Sequence, residues 1–260
     1  MSYTSILTES VGDVVIIRLN DEQSLNAASP QMVEELLDAL RETSRSGRAI
    51  VLTGVGRAFC AGANLGSVAY DVGESYDAGA PLESHFNPLM MTIRDLPVPF
   101  ITAVNGLAVG VGSTIALAGD LILAAEEAYF LQAFRRVGVV PDAGTAYLLT
   151  RAVGRVRAME MMMLGEKLPA QKALEWGLVN RVVARAEIDK AAIALAKELA
   201  AGPTRALAEI RKSCWDALDS KFAEQLARDR IVQRAVGHTA DHREGLAAFF
   251  EKRTAVFTGN

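Results

Sequence analysis

This sequence has few of the residues that would form disulfide bonds, a cationic surface or an export signal. The chain has only two cysteines, Cys60 and Cys214, too few for a disulfide framework. Its 27 Lys and Arg residues are outnumbered by 31 Asp and Glu residues, which argues against nucleic acid as the main partner because phosphate binding needs positive charge. Its first residues lack the basic start and long apolar stretch of a signal peptide. These scarcities predict a cytoplasmic protein that binds no nucleic acid.

Charge itself is missing from residues 96–119, which lie between Asp95 and Asp120. These 24 positions are enough to cross a bilayer. The stretch nevertheless contains residues that break or polarise a membrane helix, and no basic cluster flanks it. Those residues are Pro97, Pro99, Asn105, Gly106, Gly110, Gly112, Ser113 and Thr114. We therefore expect no membrane span here, but a buried strand, a turn and the start of a helix.

The composition and the pattern of apolar residues predict an α/β protein. Hydrophobic residues make up 50% of the chain and charged residues 22%, which excludes a disordered or low-complexity protein. Strands expected at 3–8, 14–19, 49–53, 100–104 and 121–124 alternate with helices that begin at Ser29-Pro30 and lie at 88–94 and 112–118. This order is typical of a layer of parallel strands. After about residue 145 we predict only helices, at 146–153, 156–164, 170–176, 188–200, 203–218, 222–236 and 240–256.

One segment between these elements is polar. Residues 66–83 contain three glycines and show no apolar periodicity, so we expect a mobile loop that covers a site. Glu83 and His85 adjoin that loop. We interpret both as solvated loop residues, with a reach into the covered site as the alternative.

The strand predicted at 49–53 leads into a glycine-rich turn. A dinucleotide-binding turn is excluded, because Gly54 and Gly56 are followed by Arg57 and no third glycine. The sequence GRAFCAGANL at 56–65 and the sequence NGLAVGVG at 105–112 instead resemble the two signatures of the enoyl-CoA hydratase/isomerase (crotonase) superfamily. The resemblance extends to LNA at 25–27, WGLVN at 176–180 and EGLAAFFEKR at 244–253. It covers nearly the whole chain.

The resemblance implies a fold and a class of substrate. The fold would be a spiral of ββα units in residues 1–200, followed by a helical region at 201–260 that builds a trimer or a dimer of trimers. The substrate would be an acyl-CoA thioester whose carbonyl oxygen accepts hydrogen bonds from the backbone N–H groups of Ala63 and Val111. No metal or redox cofactor is implied, since coenzyme A is part of the substrate. The remaining implied substrate and CoA contacts are Leu25, Asn26, Ala27, Ala61, Gly62, Asn64, Leu65, Gly110, Thr114 and Phe134, with Phe249 and Lys252 near the adenine or its phosphate.

The chain departs from the resembled hydratases at their two catalytic carboxylates. The corresponding positions are Thr114 and Phe134, neither of which can act as a carboxylate base. A mechanism in which two acids position one water is therefore not expected. Asp142 stands where the dienoyl-CoA isomerases and the ring-epoxide isomerases of phenylacetate breakdown carry a catalytic aspartate. An apolar pocket would raise its pKa and make it a better base near neutral pH. A helix N-cap is the alternative role for this residue.

Three hypotheses about activity follow. The first is an acyl-CoA isomerase in which Asp142 moves a proton; the second is a hydratase that uses Asp142 alone or with Glu83 or His85. The third is a protein that binds CoA thioesters without catalysis.

Other reactive side chains have plainer interpretations. Asn64, which replaces the usual aspartate of the first signature, is interpreted as a turn or cap residue. Cys60 is interpreted as a small buried residue, not as a nucleophile. His238 and His242 stand four residues apart on a predicted helix, and we interpret them as a solvated face, not as a metal-binding pair.

Overall fold

The computed structural model describes residues 3–67 and 76–260. Part of the predicted polar loop, residues 68–75, therefore lies outside the described residues. The described strands are β1 (Ile6–Val11), β2 (Val14–Leu19), β3 (Ala49–Gly54), β4 (Ala58–Cys60), β5 (Phe100–Val104), β6 (Leu107–Val109), β7 (Leu121–Ala125), β8 (Tyr129–Leu131), β9 (Lys167–Pro169) and β10 (Arg181–Val183). The described helices are α1 (Pro30–Ser46), α2 (Asn87–Arg94), α3 (Val111–Leu117), α4 (Thr145–Leu164), α5 (Ala170–Glu175), α6 (Ile188–Ala200), α7 (Thr204–Ala217), α8 (Phe222–Val236) and α9 (Ala240–Glu251).

The strands form two sheets, between which the chain alternates from β3 to β8. The larger sheet has the order β1-β2-β3-β5-β7-β10 and the smaller one has the order β4-β6-β8-β9. From β3 to β8, the first strand of each consecutive pair joins the larger sheet and the second joins the smaller sheet, and α2, α3 or α4 follows each pair. The larger sheet is parallel from β2 to β10. The predicted α/β class, with its spiral of ββα units, is confirmed.

The uncharged segment lies inside this spiral. Every residue of β5 is buried, and so is every residue of α3. β6 and the turns at its two ends connect them. The predicted strand, turn and helix start are thus confirmed for residues 96–119. Within the described residues, no helix is both long enough and apolar enough to cross a membrane.

Several predicted boundaries were wrong. The first strand runs up to its hairpin turn at Val11 instead of ending at residue 8. The two helices expected at 146–153 and 156–164 form one helix, α4, interrupted by Gly154 with a φ of +76°. The short strands β9 and β10 lie where only helices were expected; three residues are too few to show a periodicity.

The last helix also ends early, at Glu251 instead of residue 256. Lys252 adopts a left-handed conformation with a φ of +54°, and the chain then folds back over the start of α9. The buried carboxylate of Asp241 accepts hydrogen bonds from the amides of Thr258 (2.7 Å) and Gly259 (2.9 Å). These bonds hold the C-terminal residues in place of further helix.

A buried ion pair anchors the C-terminal helices to the spiral. The Arg211 guanidinium on α7 binds both carboxylate oxygens of Asp120, at 2.8 and 3.0 Å. It also donates to the carbonyl oxygens of Ile93, Arg94 and Leu96 at the end of α2. Asp120 in turn accepts the amide of Phe100 in β5. One side chain therefore links α7, α2 and the larger sheet.

Candidate active site

The first glycine-rich turn is built against the segment that precedes α1. The amide of Ala61 donates to the carbonyl of Leu25 (3.0 Å), and the Ala28 amide donates to the Gly62 carbonyl (2.7 Å). Gly62 has a φ of +102°, which favours glycine. A Cβ there would come within 3.0 Å of the Val109 carbonyl oxygen. The segments 25–27 and 61–65, which the resemblance assigns to CoA binding, thus lie side by side, and their contact with CoA stays a prediction.

Within that segment, Asn26 has a structural role. Its side chain is completely buried; the amide nitrogen donates to the carbonyls of Val55 and Ala58, and the amide oxygen accepts from Asp21. Each polar atom of this side chain is therefore already paired inside the protein, and the contact of Asn26 with CoA stays a prediction. Leu25 and Asn26 both have a φ of +58°, which gives the segment its sharp bend.

The second glycine-rich turn packs directly on the first. A Cβ on Gly112 would lie 2.5 Å from the Cys60 carbonyl oxygen and 2.7 Å from its Sγ. Only glycine permits this approach. The end of β4 and the first turn of α3 are consequently held in backbone contact, so that the two signatures, about 50 residues apart in sequence, form one structural unit.

Each turn presents a backbone donor. Within the described residues, no protein acceptor takes a hydrogen bond from the amide of Ala63 or from that of Val111. Ala63 is exposed, and Val111 is the first residue of α3, where amides have no partner inside the helix. Neither amide is thus used by the described part of the fold.

Asp142 lies in a turn that ends at the start of α4. The helix begins only at Thr145, with Gly144 as its N-cap and no side-chain cap. The alternative role of Asp142 as a cap is therefore wrong. Its Oδ1 atom is buried and has no hydrogen-bond partner within the described residues. Burial raises the pKa of Asp142 to about 6, although its own backbone amide offsets part of this effect.

A chain of hydroxyl groups connects this turn with the second glycine-rich turn. Thr145 Oγ1 donates to the carbonyl of Asp142 at 2.7 Å. Because its only proton is used there, the buried hydroxyl of Thr114 is the donor in the hydrogen bond between the two threonine side chains. Thr114 lies one helical turn after Gly110, whose carbonyl is 3.4 Å from the same hydroxyl. Thr114 is thus placed to position the Asp142 turn. Sequence reasoning missed Thr145, since no local pattern marks a hydroxyl that bridges two helices.

The second substituted position, Phe134, borders the same region. Its ring is buried, and a Cβ on Gly110 would lie 3.9 Å from the ring carbon Cζ. Phe134 therefore covers the second turn with an apolar surface where the resembled hydratases carry a carboxylate.

Glu83 and His85, the residues expected beside the polar loop, have different surroundings. Glu83 is exposed. His85 lies on a π-helical turn, Leu82–Phe86, with Nδ1 2.6 Å from Ser84 Oγ and Nε2 3.4 Å from the Glu34 carboxylate on α1. Both ring nitrogens therefore face groups outside the two turns.

The remaining residues singled out in the sequence have different surroundings. Asn64 Oδ1 accepts the Gly66 amide at 3.0 Å, which confirms its role in a local turn. Cys60 is completely buried, and burial raises the pKa of its thiol to about 11, so it is not a nucleophile. Phe249, Lys252 and Leu65 are exposed. Only His242 lies on α9, because His238 belongs to the turn before it.

The chain is similar to known proteins over its whole length. The family model for enoyl-CoA hydratase/isomerase matches residues 9–260. A 1,2-epoxyphenylacetyl-CoA isomerase of Escherichia coli (strain K12) is 40% identical, with 98% of each chain covered. A protein of Rhodobacter capsulatus described as a probable enoyl-CoA hydratase is also 40% identical, with full coverage of both chains.

The chain also matches a solved structure over nearly its whole length. The crystal structure of an enoyl-CoA hydratase subunit I from Geobacillus kaustophilus HTA426 superposes with a TM-score of 0.92 at 36% identity, covering 99% of each chain. The fold that the two signatures implied, the crotonase spiral followed by C-terminal helices, is thereby confirmed. The chain belongs to the enoyl-CoA hydratase/isomerase family.

Proposed function

We propose that this protein is an acyl-CoA isomerase in which Asp142 moves a proton between carbon atoms of the acyl group. The observation that carries the proposal is a single carboxylate with a pKa of about 6 and an unpartnered buried oxygen. The two positions at which the resembled hydratases carry acids are occupied by Thr114, which is linked to the Asp142 turn through Thr145, and by Phe134. A base with a pKa near the working pH combines a useful ionised fraction with useful basicity.

The proposed step begins with the ionised carboxylate of Asp142. It removes a proton from a carbon conjugated to the thioester, and the electron pair moves onto the carbonyl oxygen to give an enolate. The amides of Ala63 and Val111 donate hydrogen bonds to that oxygen, each contributing about 3 kcal/mol to the lowering of the barrier. Asp142 then returns the same proton to a different carbon and a double bond shifts. No water is consumed, so a second acid is not required.

Two features support the assignment of the donors. Both amides are free of protein acceptors within the described residues, and the close approach of Gly112 to Cys60 fixes the two turns against each other. The name of the Escherichia coli relative adds support for an isomerisation, and for a ring epoxide as one candidate substrate. CoA contacts by Phe249 and Lys252, a trimeric or hexameric assembly and a location in the cytoplasm remain predictions.

The test is to incubate the protein with a 3-enoyl-CoA, with a ring-epoxide phenylacetyl-CoA and with crotonyl-CoA, and to follow the products by NMR. We expect isomerisation of one of the first two, with kcat/KM falling below about pH 6 as Asp142 becomes protonated. Asp142→Asn should lower kcat by about 100-fold or more. Asp229→Asn, which changes an exposed aspartate on α8, is the matched control. Isomerisation that persists unchanged in Asp142→Asn overturns the mechanism.

Hydration is the second candidate, favoured by the name of the Rhodobacter capsulatus relative. It would use Asp142 alone or together with Glu83 or His85. Rapid conversion of crotonyl-CoA to the 3-hydroxyacyl product would establish it. Tight binding of CoA thioesters without turnover of any of the three would instead indicate a binding protein without catalysis.

A further inference from the structure

A small cavity opens beside the Asp142 turn. Its volume is about 190 Å³, and three elements line it. Met90 and Met91 of α2 form one wall, Ala143 and Gly144 form the second, and Trp215 near the end of α7 closes the third. Because Ala143 follows Asp142 directly, the cavity borders the backbone of the turn that carries this carboxylate.

The aromatic wall of the cavity is held rigidly. The rings of Tyr147 and Trp215 stack with centroids 6.4 Å apart and an interplanar angle of 11°. The Arg151 guanidinium lies 3.6 Å from the centroid of the Tyr147 ring and forms an ion pair with Asp219. The Tyr147 hydroxyl donates to the same Asp219 carboxylate at 2.9 Å.

The charges around the cavity are paired with each other. Arg94 binds Asp216 at 2.8 Å, and Arg151 binds Asp219 at 2.8 Å. The remaining lining consists of methionine, alanine, glycine, leucine and aromatic side chains. These walls suit an uncharged, apolar ligand group, since a charged one would find no unpaired counter-ion among them.

The volume limits the size of that group. An apolar cavity of about 150 Å³ is known to accept benzene, so 190 Å³ accommodates one six- or seven-membered ring. A second, larger cavity of about 540 Å³ lies beyond it. Leu148 and Trp215 line both cavities. These two side chains therefore lie between the two cavities.

We propose that the smaller cavity receives the acyl group of the substrate, that the acyl group is a compact ring, and that Trp215 sets the length limit. This inference rests on the proposed function, because it takes Asp142 as the group beside which the acyl carbons react. Trp215 is thus a specificity-determining residue on a helix outside the spiral, and it acts by excluding longer acyl chains.

The test compares the affinities of phenylacetyl-CoA and decanoyl-CoA by calorimetry, which requires no turnover. We expect the protein to bind phenylacetyl-CoA at least about tenfold more tightly. Trp215→Ala should join the two cavities and reduce this ratio to about threefold or less, with the gain in the affinity for decanoyl-CoA. Trp215→Phe, which keeps a ring between the two cavities, should retain most of the preference. Trp176→Ala removes the other tryptophan, which is similarly half-buried and lines neither cavity, and should leave the ratio unchanged.

Two results would overturn the inference. One is a wild-type protein that binds decanoyl-CoA as well as it binds phenylacetyl-CoA; the other is a Trp215→Ala variant that is folded by circular dichroism and keeps the full preference. Asp142→Asn separates this inference from the proposed function, because it should keep the binding preference while losing isomerisation. If isomerisation fails in the wild type and the preference holds, only the proposed function is refuted.

Discussion

Asp142 should lower the stability of the fold at neutral pH, which makes its replacement a sensitive test of the site. The pKa of its carboxyl rises from the ordinary value of 3.8 to about 6, chiefly by desolvation. Since the unfolded chain ionises first, the penalty grows as the pH rises from about 4 to about 6, is complete above that range and is absent below it. At about 1.36 kcal/mol per pH unit, the full penalty is about 3 kcal/mol. The carboxyl is only partly buried, so water screens part of this, and we expect about 1–2 kcal/mol.

The assay is urea unfolding of the wild type and of Asp142→Asn, at one protein concentration and at several pH values. The neutral amide avoids the desolvation of a charge, so the variant should be more stable than the wild type by about 1–2 kcal/mol at pH 8. The advantage should disappear near pH 4, where the native carboxyl is already neutral. Asp229→Asn, on the exposed face of α8, should change stability little at either pH. A variant that is less stable at pH 8, or equally favoured at both pH values, would refute the desolvation of Asp142.

Three other substitutions test the framework around the site. Thr145→Val removes the hydroxyl that donates to the Asp142 carbonyl. It should lower kcat about tenfold and the unfolding free energy by about 1–2 kcal/mol. The control, Thr150→Val, removes a hydrogen bond inside α4 and should leave kcat unchanged. Gly112→Ala forces a Cβ against Cys60 and should lower the unfolding free energy, measured in urea, by about 1–3 kcal/mol. The control is Gly245→Ala in α9, where the new Cβ would be in ordinary contact with Phe257. It should be neutral or stabilising. Arg211→Met leaves the Asp120 carboxylate without its cationic partner and should lower the unfolding free energy by about 3–5 kcal/mol. Arg205→Met, which changes an exposed arginine on the same helix, should not lower it.

The sequence predicted the spiral best where strands are buried on both faces. β3 and β5 are mostly apolar, with one threonine each, and every residue in them is buried, so a run of hydrophobic residues identifies them directly. β4, β6, β8, β9 and β10 have three residues each, which is too short for any pattern. Their pairing depends on contacts between distant parts of the chain.

The candidate site was predictable in its composition but not in its hydrogen bonds. The two glycine-rich turns and Asp142 carry sequence signatures, and the structure brings both turns together. The alternative of a capping aspartate was wrong because Ala143 and Gly144, with φ values of +49° and +85°, delay the start of α4 to Thr145. No sequence pattern identifies an alanine that adopts a positive φ. The structural role of the Asn26 side chain was not predictable because its partners, Val55 and Ala58, lie about 30 residues away.

The contact between Gly112 and Cys60 has a consequence for how such a protein changes its chemistry. It fixes the backbone amides of the two turns without help from any reactive side chain. The side chains at positions 114, 134 and 142 are supplied by other segments: the body of α3, the residues after β8 and the turn before α4. Substitutions there can exchange one set of side chains for another while the two backbone amides keep their places. Under the proposed function, a different reaction through the same enolate therefore requires a few point mutations and no new architecture.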